Sequence, residues 1–324
     1  MHGVNRFAKA LLVLLPRCCY DAGMKTAETL VPPSIAPLLE AALAEDIGPG
    51  DITGNAVIPE GMQATLSMRA RAAITVCGLV YLPELFARIS PSVTVELQAR
   101  EGEAVAAGAT LATLHGPARA LLAGERTALN LVQQLSGVAT LAARYVAAVA
   151  GTRARILDTR KTIPGLRALQ KYAVRCGGGQ NHRMGLHDAV LIKDNHIAIA
   201  GGVRAAVEAV QASLQAEQGN PEISAGLRRS ARNDVPLLEV ECDTLAQLDE
   251  ALACGVARVL LDNMDPVTLA EGVRRAHAKG AEVEASGNVS LETVAAIAAT
   301  GVDFISVGKL THSAPAVDIG LDEA

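Results

Sequence analysis

Tryptophan is absent from this 324-residue chain, and its aromatics, three Phe and four Tyr, make up 2% of it. That scarcity excludes the stacking platforms on which single-stranded nucleic-acid binders rely. It also leaves Ala, Val, Leu and Ile to build the core. Cationic charge is no more abundant: 29 Lys and Arg face 34 Asp and Glu, a net charge of −5. No overall basic field draws polyanions to the surface, so any anion site has to be local. The six cysteines include no C-x-x-C pair. A zinc ribbon or disulfide scaffold is therefore disfavoured, and reduced thiols in a cytoplasmic protein are expected. Long hydrophobic runs are missing as well. A bilayer span needs about 20 apolar residues, and "FAKALLVLLP" near the N-terminus falls short of that. Residues 1–23 are expected to form a disordered extension, with neither a membrane nor a nucleic acid as partner.

The order of elements is informative. "IAPLLEAALAE" carries helical spacing and stops before the turn cluster "DIGPGD". "ATLSMRARA" and "VTVELQA" alternate as half-buried strands, with a helical "LVYLPELFARI" between them. "REGEAVAAGATLATLHGPARALL" reads as strand, turn and strand, like half of a biotinyl or lipoyl carrier, but it lacks the carrier lysine. A long Ala/Leu-rich helix is predicted over about 120–149.

Beyond Gly151 the pattern becomes strand and helix in strict alternation. The strands are "ARILDTRK", "AVLIKDNH", "PLLEVEC", "ARVLLDN", "AEVEASGN" and "DFISVGK". Repeated βαβ units with short connections predict a parallel sheet covered by helices. Every one of these strands starts apolar and ends polar or with glycine. In an α/β barrel the carboxyl ends of the strands form the active-site face, and here all six are loaded, whereas a doubly wound sheet would load one crevice. An incomplete parallel α/β barrel over 138–311 follows, preceded by an α/β domain over 24–137. The polar stretch 218–235 interrupts the rhythm and reads as an exposed loop.

From Asp158 to Lys193 there are seven cations (Arg160, Lys161, Arg167, Lys171, Arg175, Arg183 and Lys193) against Asp158 and Asp188, a net of +5. Arg167, Lys171 and Arg175 share one helical face, for which a solvated surface is expected. Arg160, Lys161, Arg183 and Lys193 lie at strand ends or just before a strand, where converging cations demand a multiply anionic ligand. Arginine forks suit carboxylates, and lysines suit phosphates. Gly177, Gly178 and Gly179 are expected to let backbone amides approach that anion. "SGN" at Ser286–Asn288 and "VGK" at Val307–Lys309 end the last two strands, where barrels commonly hold a phosphate; taken singly, each is equally a tight turn. Glu241 and Asp262 end consecutive strands and point into the same mouth. Carboxylates in an anion site are useful where a cationic ribosyl centre develops or a metal is bound. Glu239 alternates with Glu241 and shares its face if the strand is regular. His2, His115, His187 and His277 are read as surface or structural, and His196 as either lining the mouth or bonding to backbone.

"ERTALNLVQQLSGVAT", "DTRKTIPGLRALQKYAVRCGGGQNHRMGL", "IKDNH", "EVE", "LLDN", "ASGN" and "GVDFISVGKLTHSAPAVDIGLD" occur in order and together resemble the quinolinate phosphoribosyltransferase family. The resemblance extends from about Leu38 to Asp322. It implies an N-terminal α/β open sandwich and an incomplete, about seven-stranded parallel barrel, with the tail 312–324 packed on the first domain. It also implies a homodimer or higher oligomer that binds quinolinate and phosphoribosyl pyrophosphate, with Mg²⁺ held mainly through the pyrophosphate. By the same resemblance, Arg126 is supplied across the interface to the quinolinate carboxylates, and Arg160, His182 and Arg183 complete that cradle. Lys161 and Lys193 stand near the reacting groups and phosphates. Glu241 and Asp262 face the ribose, while Ser286, Gly287, Asn288, Gly308 and His312 belong to the phosphate loops.

The reaction so implied passes through an oxocarbenium-like state, after which the quaternised ring draws off the carboxylate beside its nitrogen. The products are nicotinate mononucleotide, pyrophosphate and CO₂. Positioning and electrostatics are expected to dominate such a reaction. Two other enzyme readings compete with it: a paralogue linked to molybdenum uptake, which shares the fold, and a Schiff-base barrel lyase using Lys161 or Lys193. Intact "NHR" and "DTRK" favour quinolinate over the paralogue. A non-catalytic anion binder is disfavoured by carboxylates facing the site.

Overall fold

The computed structural model describes residues 30–217 and 237–323. The expected extension 1–23 and the loop 218–235 lie outside the described residues.

The first region opens with helices α1 (Ala36–Ile47) and α2 (Ile52–Val57), the second capped by the Asp51 carboxylate, which accepts from Gly54 N at 2.9 Å. Strands β1 (Gln63–Ala70), β2 (Ile74–Thr75), β3 (Thr94–Leu97), β4 (Ala104–Val105) and β5 (Thr110–Pro117) follow, with helix α3 (Leu82–Ile89) between β2 and β3. The order in the four-stranded sheet is β12-β1-β5-β3, where β12 is the C-terminal strand Ile319–Glu323. β12 runs antiparallel to β1, with Ala70 opposite Ile319 and Leu66 opposite Glu323, so the end of the chain completes the sheet begun by residue 63. Along β1, Leu66, Met68 and Ala70 are buried, as is Ser67, whereas Arg69 is exposed.

Helix α4 (Ala118–Ala148) is the spine, in contact both with this sheet and with the barrel domain. Small residues let its neighbours close in. A Cβ on Gly124 would sit 2.6 Å from the Phe86 ring, and one on Gly137 would sit 2.1 Å from the Pro315 carbonyl. Among the described residues no single helix is long and apolar enough to cross a membrane.

The second region contains six parallel strands: β6 (Arg155–Leu157), β7 (Val190–Ile192), β8 (Leu238–Cys242), β9 (Arg258–Asp262), β10 (Glu282–Ser286) and β11 (Phe304–Ser306). Their order is β6-β11-β10-β9-β8-β7. These are the six strands read from the sequence. The resemblance implied about seven. In place of the seventh the structure has a single parallel bridge, Leu157 to Gln180, on the outer edge of β6. The run after helix α5 (Arg167–Cys176) turns through three glycines and has no apolar stretch with which to extend a strand. The barrel is thus incomplete between Gln180 and β7.

In β8, Leu238, Val240 and Cys242 face the covering helices while Glu239 and Glu241 point inward; even the glutamates are at most 9% exposed. Helices α6 (Asp194–Ala200) and α7 (Val203–Glu217) follow β7. The helix Leu245–Ala253 starts on a capping box between Thr244 and Gln247, and Pro266–Ala278 starts on Asp265, which accepts from Val267 N and Thr268 N. Those caps stop each strand promptly and keep its last residue on the rim.

Candidate active site

Strand register brings the loaded ends to one level. Ile192 pairs with Val240, so Lys193 and Glu241 follow side by side. Asp262 pairs with Ser286, and Ser306 with Leu157, so the loops holding Gly287, Gly308 and Arg160 rise from the same rim.

Three groups of side chains form there. Lys193 Nζ donates to Glu241 Oε2 at 2.6 Å, and carboxylate oxygens of Glu241, Asp243 and Asp262 lie within 4.8 Å of one another. Next along the rim, Asn263 donates to Asp262 Oδ2 at 2.5 Å and accepts from Asn288 Nδ2 at 3.0 Å. Asn263 and Asn288 have φ of 52° and 49°, the non-glycine residues with positive φ among those described. Asparagine tolerates that region better than most residues. Gly287 between them has no substitute, since a Cβ would lie 2.2 Å from Asn263 Oδ1. In the third group the Lys161 side chain and the His312 ring both lie 3.2 Å from where a Gly308 Cβ would stand. Thr311 Oγ1 donates to the Lys161 carbonyl at 2.7 Å and ties the two loops together.

Beside these groups stand the arginines. Arg183 is 6% exposed; burial, and then the neighbouring Arg160 guanidinium, pull its pKa below the ordinary arginine value. Arg160 Nε is buried without a hydrogen-bond partner. Two guanidiniums near enough to repel each other, one with a donor unanswered, describe a place built for an anion.

His182 lies beneath them. Its Nε2 faces Glu239 Oε2 at 3.1 Å and Glu284 Oε2 at 3.6 Å, and its Nδ1 accepts from Arg183 N at 2.7 Å. Burial lowers the imidazole pKa, but Glu284 and Glu239 outweigh it and leave the value raised. The Arg183 amide opposes that charge, because a proton on Nδ1 would meet another N–H. The hydrogen bonds therefore select the tautomer with its proton on Nε2, and a ligand would find no ring nitrogen open without rearrangement. Arg126, on α4, is exposed and belongs to none of these groups.

Two readings of the sequence are corrected. The helical face of Arg167, Lys171 and Arg175 is turned inward rather than solvated. Lys171 forms a buried ion pair with Asp158 and also donates to the His182 carbonyl at 3.0 Å, while Arg167 donates to the Met184 carbonyl at 3.0 Å. The amides of Gly177, Gly178 and Gly179 are engaged as well, bonding to the carbonyls of Ala173, Arg175 and Val174. They end α5 instead of cradling an anion. Gly177 is needed because a Cβ would lie 2.4 Å from the Ala139 carbonyl of α4. His196, left open in the sequence, bonds to backbone: its Nδ1 accepts from Lys193 N at 2.9 Å.

Asn181, Asp243, Asn263 and Glu284 escaped the sequence reading, which counted Asp158 only as a charge. Asp158 is fully buried and accepts from Lys171, from Asn181 Nδ2 at 2.5 Å and from His182 N at 2.9 Å; burial raises its pKa in spite of those partners. Glu284 is one residue of "EVEAS", and the inward period of that strand is the only signal that could have found it.

The chain matches the family model for the quinolinate phosphoribosyl transferase N-terminal domain over residues 51–136 and that for the C-terminal domain over 138–322. It is 42% identical over 316 residues to a nicotinate-nucleotide pyrophosphorylase [carboxylating] of Mycobacterium leprae, with 95% of this chain and 100% of that one covered. A probable nicotinate-nucleotide pyrophosphorylase of Bacillus subtilis is 39% identical over 285 residues, covering 88% and 92%. Among solved structures, the nicotinate-nucleotide pyrophosphorylase of Ehrlichia chaffeensis superposes with a TM-score of 0.79 at 36% identity, over 91% of this chain and 100% of that one. That of Francisella tularensis gives 0.77 at 37%, over 89% and 95%.

Proposed function

The chain belongs to the quinolinate phosphoribosyltransferase family, and from that membership we propose how its rim residues share the work of the reaction. The enzyme transfers the phosphoribosyl group of phosphoribosyl pyrophosphate to quinolinate with loss of CO₂, giving nicotinate mononucleotide and pyrophosphate for NAD synthesis.

Arg160 and Arg183 hold the two carboxylates of quinolinate. The observation that carries this assignment is the buried Arg183 guanidinium, repelled by Arg160, whose own buried Nε is unanswered. A dianion with carboxylates on adjacent ring carbons answers both charges at once. His182 supports the pair from below. Lys161, Gly308 and His312 on one side of the rim, and Ser286, Gly287 and Asn288 on the other, hold the phosphates. Glu241 and Asp262 face the ribose, where positive charge develops as the pyrophosphate leaves. Their stabilisation grows along the reaction, so it acts on the rate more than on affinity. Lys193, joined to Glu241 at 2.6 Å, fixes that carboxylate and faces the reacting groups.

For Mg²⁺ the donor set fits: Glu241, Asp243 and Asp262 present oxygens within 4.8 Å of one another, and hard cations prefer oxygen. Carried in on the pyrophosphate, Mg²⁺ would supply charge neutralisation of the leaving group there.

Exposed Arg126 suits a residue that completes the quinolinate cradle of a second subunit, and a homodimer is part of this reading. A cytoplasmic setting accords with the free thiols of Cys77, Cys176, Cys242 and Cys254. A Schiff-base lyase using Lys161 or Lys193 is less well supported, because Lys161 is exposed, Lys193 is half-exposed and paired to a carboxylate, and the buried lysine, Lys171, is bound to Asp158.

The deciding experiment is pyrophosphate release measured with quinolinate against nicotinate as acceptor. Release dependent on quinolinate alone is expected. Equal release with the monocarboxylate would remove the need for two arginines.

A further inference from the structure

Inside the barrel, under the arginines, two glutamates stand closer together than two charges should. Glu239 of β8 and Glu284 of β10 are 1% and 0% exposed, and with His182 they present ligand atoms all within 4.8 Å of one another. Glu239 Oε2 has the imidazole Nε2 as its donor, but Glu239 Oε1 and both oxygens of Glu284 have no hydrogen-bond partner. Unanswered buried carboxylate oxygens are costly, and a second negative charge beside the first makes them costlier.

The surrounding charges do not outweigh burial and Glu239 at Glu284. Arg258, on β9, donates to Glu282 Oε2 at 2.8 Å and stacks over the Phe304 ring at 4.1 Å. Lys171, from α5, is committed to Asp158 at the end of β6. Arg160 and Arg183 lie on the anion side. Ser306, on β11, favours the charged form of Glu284 but is outweighed by burial and Glu239. His182 is one imidazole between two acids.

We propose that Glu284 is a neutral carboxylic acid whose proton is donated to Glu239, and that this acid pair is the positioning element that holds His182, and through it Arg183, beneath the quinolinate carboxylates. One proton supplies what is missing. It answers Glu239 Oε1, converts a repelling pair into a hydrogen-bonded one, and leaves a single carboxylate to accept from Nε2. His182 then hands the order upward, since its Nδ1 accepts from the Arg183 amide at 2.7 Å. The chain of contacts runs Glu284, Glu239, His182, Arg183 and reaches the anion site without touching the substrate. Burial and the neighbouring Glu239 push the Glu284 carboxyl up to about 7, in keeping with a proton held at working pH.

A buried His with two Glu also has the composition of a metal site. The tautomer argues against it: ligation through Nε2 needs the ring proton on Nδ1, where an N–H already points.

The proposal rests on the quinolinate reading for its role and on infrared spectroscopy for its chemistry, so the two are separable. In substrate-free protein at about pH 6, the spectrum should contain the carbonyl stretch of a protonated carboxylic acid that disappears in Glu284→Gln. In kinetics, Glu284→Gln keeps a donor for Glu239 and should leave the quinolinate KM within about twofold, whereas Glu284→Ala should raise it about tenfold with the KM for phosphoribosyl pyrophosphate unchanged. The quinolinate KM of the unmodified enzyme should climb as pH rises through neutrality, and that climb should be absent in Glu284→Gln. The idea fails if the infrared band is missing, if Glu284→Gln is as damaging as Glu284→Ala, or if the purified protein carries a stoichiometric metal lost in either variant. Should Glu284→Ala not fold, the band and the Glu284→Gln pH profile still decide.

Discussion

Asp158 and Lys171 form an ion pair sealed from water, the carboxylate 0% and the lysine 1% exposed. The pair joins the end of β6 to α5, and through the bond from Lys171 Nζ to the His182 carbonyl it fixes the segment that carries His182 and Arg183. A salt bridge here does structural work at the base of the anion site.

Removing one partner of such a pair strands a buried charge, at about 3–5 kcal/mol. Lys171→Met is therefore expected to lower the urea midpoint sharply and to lose activity with it. An unaltered unfolding curve would show that the pair contributes nothing.

Arg160→Ala and Arg183→Ala should each raise the quinolinate KM by about 10- to 100-fold and leave the KM for phosphoribosyl pyrophosphate near its original value. Lysine in either place should rescue poorly, since a point charge does not reproduce the fork. Steady-state kinetics with each substrate varied in turn distinguishes this from a general loss of fold; equal effects on both KM values would count against the cradle.

Exposed Arg126 yields a test of assembly. Arg126→Ala and Lys161→Ala should each be nearly inactive alone. Mixed after denaturation and refolding, they should regain about a quarter of the original activity, because a hybrid dimer reconstitutes one intact site. If mixing recovers nothing, Arg126 does not act across an interface.

The Glu284 carboxyl is ordinary at 4.5 when unfolded and held at about 7 in the folded chain, pushed up by burial and by Glu239. A raised pKa stabilises the fold fully below the unfolded value, and that stability is lost as pH climbs between 4.5 and about 7. Glu284→Gln has no proton to lose. At about pH 8 it should be more stable than the unmodified protein by about 1–3 kcal/mol, and the gap should close toward about pH 4.5. Thermal unfolding at several pH values checks this. A constant gap would mean that Glu284 does not titrate in that window.

The rim is legible in the amino-acid order because strand ends are local events. "LIKDNH" and "VLLDN" each change from apolar to polar at one point, "LEVEC" and "VEASGN" alternate up to their last inward residue, and a parallel sheet gathers those ends on one face. The expectation for Lys171 failed for the opposite reason. Its spacing with Arg167 and Arg175 marks a shared helical face, yet spacing does not say whether that face looks outward. Asp158 and the carbonyls of His182 and Met184 supply the partners. The glycine triplet misled in the same way, for flexibility permits anion binding and helix termination alike, and the approach of α4 to Gly177 decided between them.

By itself, then, the amino-acid order determined the six parallel strands, the face on which the chemistry sits, and most residues of that face, since these follow from periods of two and of 3.6 residues and from where each run of apolar side chains stops. Tertiary packing alone decided which charges are paired, which histidine nitrogen holds a proton, and that Glu284 stands against Glu239, 45 positions away in the chain. Those outcomes depend on the low dielectric of the interior and on neighbours brought together from β6, β8, β10 and α5, and no local pattern encodes either.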